Sequence, residues 1–396
     1  MKKSISIFIH CFPPAKGGLE YLIKEVKKIL DKNYTVHIIT GNGSTLDSYK
    51  TFKDFLPKNS QYKINHVHRL DLDFPKQRLF NKLFGKIIPK WGLFSPFYFG
   101  PILKYPPKIL DIIKNSDIII GSGMPTMMFY QSYLFAKKFD KKLILIPAYH
   151  NVPYYNNCPF FQQALNYALK ILYLTPLERK YLTKNYKIDQ SKLNQATFCP
   201  YTIEQIKSQQ KKLPDIISQK LKRLKNKQVN IGFIGQITPR KNLVIFKHYL
   251  DKYLPYWQSR GYKLTIHLSG AKTSFSNQIE QLLKDHIKNN IVNITYNFKD
   301  LENEYSKFDV FVNPSVEESL GITNFEALYN GLSPIVHSDS AFADLTDKKS
   351  AFNNIDKLHE IITKNTPPAS TNMSLLSQYN YDNFEETIND SFIQDR

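Results

Sequence analysis

Two carboxylates eight positions apart, Glu318 and Glu326, stand in the stretch Asp309–Asp339, and their setting could bind hydroxyls and an anion together. Ionised carboxylates accept hydroxyl hydrogens. Gly321 lies between them, where the absence of a side chain lets the backbone amides of Leu320, Gly321 and Ile322 approach a ligand. A helix N-terminus at that point favours negative charge. A ligand with both features is a nucleotide sugar. The elements that must hold these groups are legible in the same stretch. DVFV reads as a buried strand and Asn313-Pro314-Ser315 ends it. An apolar stripe at Phe325, Ala327 and Leu328 predicts a short helix from Thr323, Gly331 ends it in a left-handed cap, and SPIVHSD reads as the next strand. The pattern also fits a plain strand–loop–helix with a solvated Glu318 and a capping Glu326.

Glu, seven residues, Glu, with a glycine after the first Glu, then Glu-Ala-Leu and Gly-x-x-Pro-Ile, resembles the donor-site signature of family 4 retaining glycosyltransferases, the glycosyl transferases group 1. The resemblance implies an α/β chain with the GT-B architecture, two Rossmann-like parallel-sheet domains facing across a cleft. It also implies roles: Glu326 on the ribose diol, Glu318 on the donor sugar. Val229–Ile234 restarts a Rossmann-like unit and runs into Gly235-Gln-Ile-Thr-Pro-Arg-Lys-Asn. The family pattern there is Gly-Arg-x-x-x-x-Lys-Gly, with Arg and Lys on the diphosphate. Lys241 matches; Gln236 stands in place of the Arg and Asn242 in place of the Gly. Arg240, beside Lys241, can restore the missing charge, since guanidinium binds phosphate well.

In the first half, strand Ser4–Ile9 leads through FPPAKGGLE into an amphipathic helix. The family loop Pro-x-x-Gly-Gly-x-Glu, with Gly17 and Gly18 here, faces donor phosphates and acceptor. The segment lacks a full Gly-x-Gly-x-x-Gly, so no dinucleotide site is supported. His150 follows strand Leu143–Pro147, at the strand end where ligands of open α/β sheets gather; the family places a histidine there, near the donor sugar and β-phosphate. A Gly-Gly turn, a surface Arg-Lys pair and a lone histidine are each also common structural features.

The β–α alternation across both halves predicts residues 1–197 as an acceptor-side domain, 198–375 as the nucleotide-sugar domain, and 376–396 as a helix crossing back to the first. A lysine-rich stretch at 197–228 reads as a linker with a surface helix. Three cysteines, Cys11, Cys158 and Cys199, have no metal-ligand spacing and read as reduced thiols of a cytoplasmic protein. The N-terminal apolar run is short and interrupted by His10 and Pro13–Pro14, so it reads as a strand and not a signal peptide.

Hydrophobic residues make up 42% and charged residues 22%, which argues against disorder, but the formal charge of +20 calls for an anionic partner. Residues 76–110 alternate bases with large apolar side chains, including Lys82, Lys86, Lys90 and Trp91. Such a mixture suits an anionic bilayer surface, or a helical excursion with solvated lysines. The basic run at 207–227 lacks interleaved aromatics, so no nucleic acid is expected. The resulting expectation is a peripheral enzyme at the inner face of the plasma membrane. It moves a hexose from a nucleoside-diphosphate sugar to a lipid-linked or polysaccharide acceptor in bacterial surface glycan assembly. No metal or other cofactor is expected, on the reading that the chain has no Asp-x-Asp motif and no ligand cluster and that fixed cations do that work. The alternatives are a non-catalytic basic membrane- or nucleic-acid-binding protein on the same scaffold, and a nucleotide-sugar epimerase of the same architecture.

Overall fold

The structure is a computed structural model that describes residues 2–15, 17–45, 48–56, 64–79, 100–149, 157–316, 318–346, 350–364 and 373–393. The chain divides into two units, Met1–Thr197 with Glu385–Arg396, and Phe198–Phe384.

The first unit is built on seven parallel strands: β1 Ser4–Phe8, β2 Thr35–Gly41, β3 Val67–Leu70, β4 Ile118–Ser122, β5 Lys142–Ile146, β6 Lys170–Tyr173 and β7 Leu193–Gln195. Their order across the sheet is β3-β2-β1-β4-β5-β6-β7. Runs such as Ile118-Ile-Ile and Leu143-Ile-Leu-Ile are buried on both faces, as a parallel sheet covered by helices requires. Helix Gly18–Leu30 returns β1 to β2. It buries Leu22, Ile23, Val26, Ile29 and Leu30 at helical spacing, and Lys27 and Lys28 lie in its last turn, where cations suit the helix dipole. Phe8, Ile39, Ile119, Phe129, Leu145 and Phe161 form the centre of this core.

The second unit has six parallel strands, β8 Gln228–Ile234, β9 Lys263–Gly270, β10 Val292–Tyr296, β11 Val310–Asn313, β12 Pro334–His337 and β13 Ala351–Phe352, ordered β10-β9-β8-β11-β12-β13. Val229, Ile231 and Phe233 of β8, Leu264, Ile266 and Leu268 of β9, and Phe246 of helix Val244–Ser259 fill its core.

The lysine-rich stretch expected to be a linker with a surface helix is a 23-residue helix, Ile203–Lys225, docked on this second sheet. A reciprocal capping box between Thr202 and Gln205 starts it. Near its end Lys220 Nζ donates to the Gly331 carbonyl at 2.8 Å, and Arg223 Nε donates to Asp309 Oδ1 at 2.8 Å, at the start of β11. The helix thus carries two of its cations inward. The last helix, Tyr381–Ile393, closes the chain: Lys32 pairs with Glu385, and the Tyr34 hydroxyl donates to the Phe392 carbonyl at 3.4 Å.

Candidate functional site

In the second sheet the strand order reverses between β8 and β11, and their carboxyl ends carry the segments 235–242 and 314–321. A crevice outside such a switch point is where open α/β sheets bind ligands. The backbone there is packed close. A Cβ on Gly270 would lie 1.7 Å from the Gly235 carbonyl oxygen, so only glycine allows the end of β9 to pass the end of β8. The chain then makes a short 3-10 turn at Pro239–Lys241, closed by Asn242 in the left-handed region at φ 50°.

Lys241 and Glu318 meet. Nζ donates to Oε2 at 2.6 Å, and both side chains are largely enclosed. Burial lowers the Lys241 amine's pKa and neighbouring Arg240 lowers it further, while Glu318 raises it. A buried pair of this kind is weak evidence for stability, because desolvation offsets the attraction. Both residues have hydrogen-bonding chemistry suited to a ligand that could separate them.

Three residues beyond Glu318, Gly321 caps helix Ile322–Tyr329 at φ 73°, ψ 66°. A Cβ there would stand 2.4 Å from Asn324 Nδ2, so geometry and space both select glycine. Leu320 is buried beside it and Ile322 is the first helical residue. The loop is tied to the sheet by Asn313, whose Nδ2 donates to Asn324 Oδ1 at 3.1 Å and whose Oδ1 accepts from Ser315 Oγ at 2.6 Å. Asn324 Nδ2 is buried with no partner among the described residues.

Glu326 lies one helical turn further on and is half-buried. Burial pushes its carboxyl up to about 7, opposed by the Tyr305 hydroxyl, which lies 3.1 Å from Oε2. Tyr305 also donates to the Thr323 carbonyl at 2.9 Å, so one phenol holds both the helix start and the carboxylate. Tyr305 was not legible as a site residue: it comes from the short helix Leu301–Ser306, with no spacing that links it to Glu326.

The structure therefore gathers Lys241, Glu318, Leu320, Gly321, Ile322 and Glu326 around the ends of β8 and β11. Arg240 is exposed on the same turn as Lys241, and Gln236 is half-buried just after β8. Gly17 and Gly18 belong to the first unit, where they open helix Gly18–Leu30. His150 lies outside the described residues, as do Lys82, Lys86, Lys90 and Trp91. The chain does contain one Asp-x-Asp, Asp71 and Asp73, in the first unit; Asp73 pairs with Lys76 at 3.1 Å.

The family comparison falls on this second unit. Residues 228–363 match the model of the glycosyl transferases group 1. Over that third of the chain the protein is similar to this family of glycosyltransferases. The match runs from β8 past β13 and includes every donor-side residue named above from Arg240 to Glu326. Three solved structures share the fold across the whole chain. HepE of Anabaena, solved with UDP and glucose, is 13% identical with a TM-score of 0.66, covering 99% of this chain and 100% of its own. Sucrose-phosphate synthase of Thermosynechococcus elongatus is 12% identical, TM-score 0.66, covering 99% of each chain. The lipopolysaccharide outer core galactosyltransferase WaaB is 11% identical, TM-score 0.60, covering 100% of each. Two parallel sheets of seven and six strands with helices match the two-domain GT-B architecture of these solved structures. No curated protein sequence matches this chain.

Proposed function

We propose that the chain is a retaining hexosyltransferase that uses a nucleoside-diphosphate sugar. The observation that carries this reading is the enclosed Lys241–Glu318 pair at the β8/β11 switch point, beside the Gly321 cap and Glu326. A diphosphate competes for Lys241, with Arg240 adding a second cation. Once Lys241 turns to phosphate, Glu318 is released to accept hydroxyl hydrogens from the sugar. The amides at Leu320, Gly321 and Ile322 assist at the helix start, and Glu326 takes the ribose diol. HepE bound to UDP and glucose, and the WaaB galactosyltransferase, support a hexosyl nucleotide as donor.

In the reaction the acceptor oxygen bonds to the anomeric carbon on the face from which the diphosphate departs. The bond from that carbon to the phosphate oxygen breaks, and the leaving phosphate takes the acceptor's proton. Fixed cations, in place of a divalent metal, stabilise the charge that grows on the diphosphate. Electrostatic help of this kind is commonly the largest catalytic contribution, and removing one donor costs ~3 kcal/mol. The charge of +20 supports an acceptor presented at an anionic surface, lipid-linked or polysaccharide, at the inner face of a bacterial plasma membrane. No helix among the described residues is long and apolar enough to cross a membrane, which is compatible with a peripheral enzyme.

The test is nucleotide release from a panel of UDP-, GDP- and ADP-sugars, with and without a membrane lipid extract from the source organism. Release from one donor that rises with the extract supports both donor and lipid-linked acceptor. Retention of configuration is read from the anomeric coupling constant of the product. Release from no donor, with tight binding to anionic vesicles or nucleic acid, would replace this reading with that of a non-catalytic binding protein.

A further inference from the structure

The first sheet has its own switch point, between β1 and β4, and three metal-ligating side chains converge at that place. His10 and Cys11 follow the end of β1, and Glu20 comes from the first turn of helix Gly18–Leu30. One ligand atom from each lies within 4.8 Å of the others. All three residues are buried, at 8%, 0% and 7% exposure. Their hydrogen-bonding demand is poorly met. His10 Nδ1 is buried with no partner among the described residues. His10 Nε2 and Glu20 Oε1 are 3.5 Å apart, an ion-pair distance longer than a good hydrogen bond. Cys11 Sγ has the Tyr49 hydroxyl as its neighbour at 3.9 Å, a long and weak contact.

Buried polar groups are almost always satisfied, so a cluster left in this state asks for a missing partner. Two atoms bound at about 2.0–2.1 Å to one tetrahedral zinc stand about 3.3–3.4 Å apart, close to the His10–Glu20 separation. The charges also balance: a thiolate, a carboxylate and a divalent cation make a neutral buried centre. The loop that supplies two of the ligands is held in place from outside the cluster. Tyr49 donates to the His10 carbonyl at 2.7 Å, and Arg69 donates to the carbonyls of Phe12 and Pro13. Gly123, just past β4 at φ 76°, has no side chain where a Cβ would come within 3.4 Å of His10 Nδ1, so the histidine ring is approached there by bare backbone.

We infer that His10, Cys11 and Glu20 form a binding site for a soft divalent cation of the zinc class, built entirely within the first unit. Imidazole with thiolate selects zinc over magnesium or calcium. Three protein ligands leave a fourth position for water or an oxygen of a bound molecule. On binding, the Cys11 thiol loses its proton to solvent as the sulfur–metal bond forms.

Metal content of the full chain tests this without any sugar substrate. Wild-type protein grown with zinc and passed over a weak chelator is expected to retain about one zinc per chain by mass spectrometry. Cys11→Ser and Glu20→Gln lose it, whereas Cys158→Ala, at another buried free thiol, keeps it. Cobalt(II) added to zinc-stripped wild type should give a thiolate-to-cobalt absorption band and the visible spectrum of a tetrahedral centre. Wild type that holds no zinc and shows no such band overturns the inference, as does zinc content unchanged in Cys11→Ser. If that variant fails to fold, the wild-type cobalt spectrum and Glu20→Gln decide the matter.

Discussion

Replacing Glu326 by Gln separates two consequences of the same buried carboxyl. In the folded chain burial holds the carboxyl up at about 7, while its ordinary value is 4.5. The unfolded chain therefore loses this proton near pH 4.5 and the folded chain keeps it until about pH 7. Between those values the folded state binds more protons, so wild-type stability falls as pH rises and then levels off. At about 1.4 kcal/mol per pH unit the full window is worth at most about 3.5 kcal/mol, and water at the exposed edge of the residue reduces it toward about 2. Gln is neutral throughout. Glu326→Gln should match wild type near pH 4.5 and be more stable by about 2–3 kcal/mol at pH 8, read from urea midpoints across that range. Donor binding should change in the opposite sense. The ribose diol favours the ionised carboxylate, and hydrogen bonds to a charged group are worth ~1.5–3 kcal/mol each. Gln keeps one neutral acceptor, so affinity for the donor chosen by the release panel should fall by roughly 10- to 150-fold at pH 8, measured by calorimetric titration. Wild-type affinity should weaken as pH drops through about 7. Parallel stability curves for the two proteins, or donor affinities within twofold, would refute the reasoning.

Lys241→Ala removes the cation assigned to the diphosphate and leaves Glu318 enclosed without that partner; kcat with the donor should fall by about two orders of magnitude, with a lower thermal midpoint. Gly321→Ala forces a side chain into φ 73° and against Asn324 Nδ2, and should cost about 1–3 kcal/mol in denaturant unfolding. Lys220 is held down to about 7 by burial, against an ordinary 10.5, so the unfolded chain binds the extra proton between those values and stability rises with pH across them. Lys220→Met should remove that rise, as seen in urea midpoints at pH 7 and 9.5.

The parallel-sheet alternation and the Gly331 helix end were legible in the chain, and Lys241, Glu318 and Glu326 were picked out as candidates by motif, because each rests on local chemistry. Turn residues need particular backbone angles, buried strands need apolar runs, and a motif keeps its spacing. Lys241 and Glu318 are 77 positions apart, and nothing in their separate surroundings says that they pair. That contact exists because β8 and β11 are neighbours, and a strand order is a property of the assembled sheet. The same holds for Tyr305 against Glu326, and for Lys220 and Arg223, whose basic helix read as solvated until the second sheet offered the Gly331 carbonyl and Asp309. Cys11 carried no metal-ligand spacing either. The return of the chain into helix Gly18–Leu30 brings Glu20 back to the end of β1 and makes a cluster of three. Sequence determined which residues could do chemistry and which local elements would hold them. Tertiary structure decided which of them meet, because sheet order and helix docking minimise exposed apolar surface over the whole unit, a sum to which no short stretch has access.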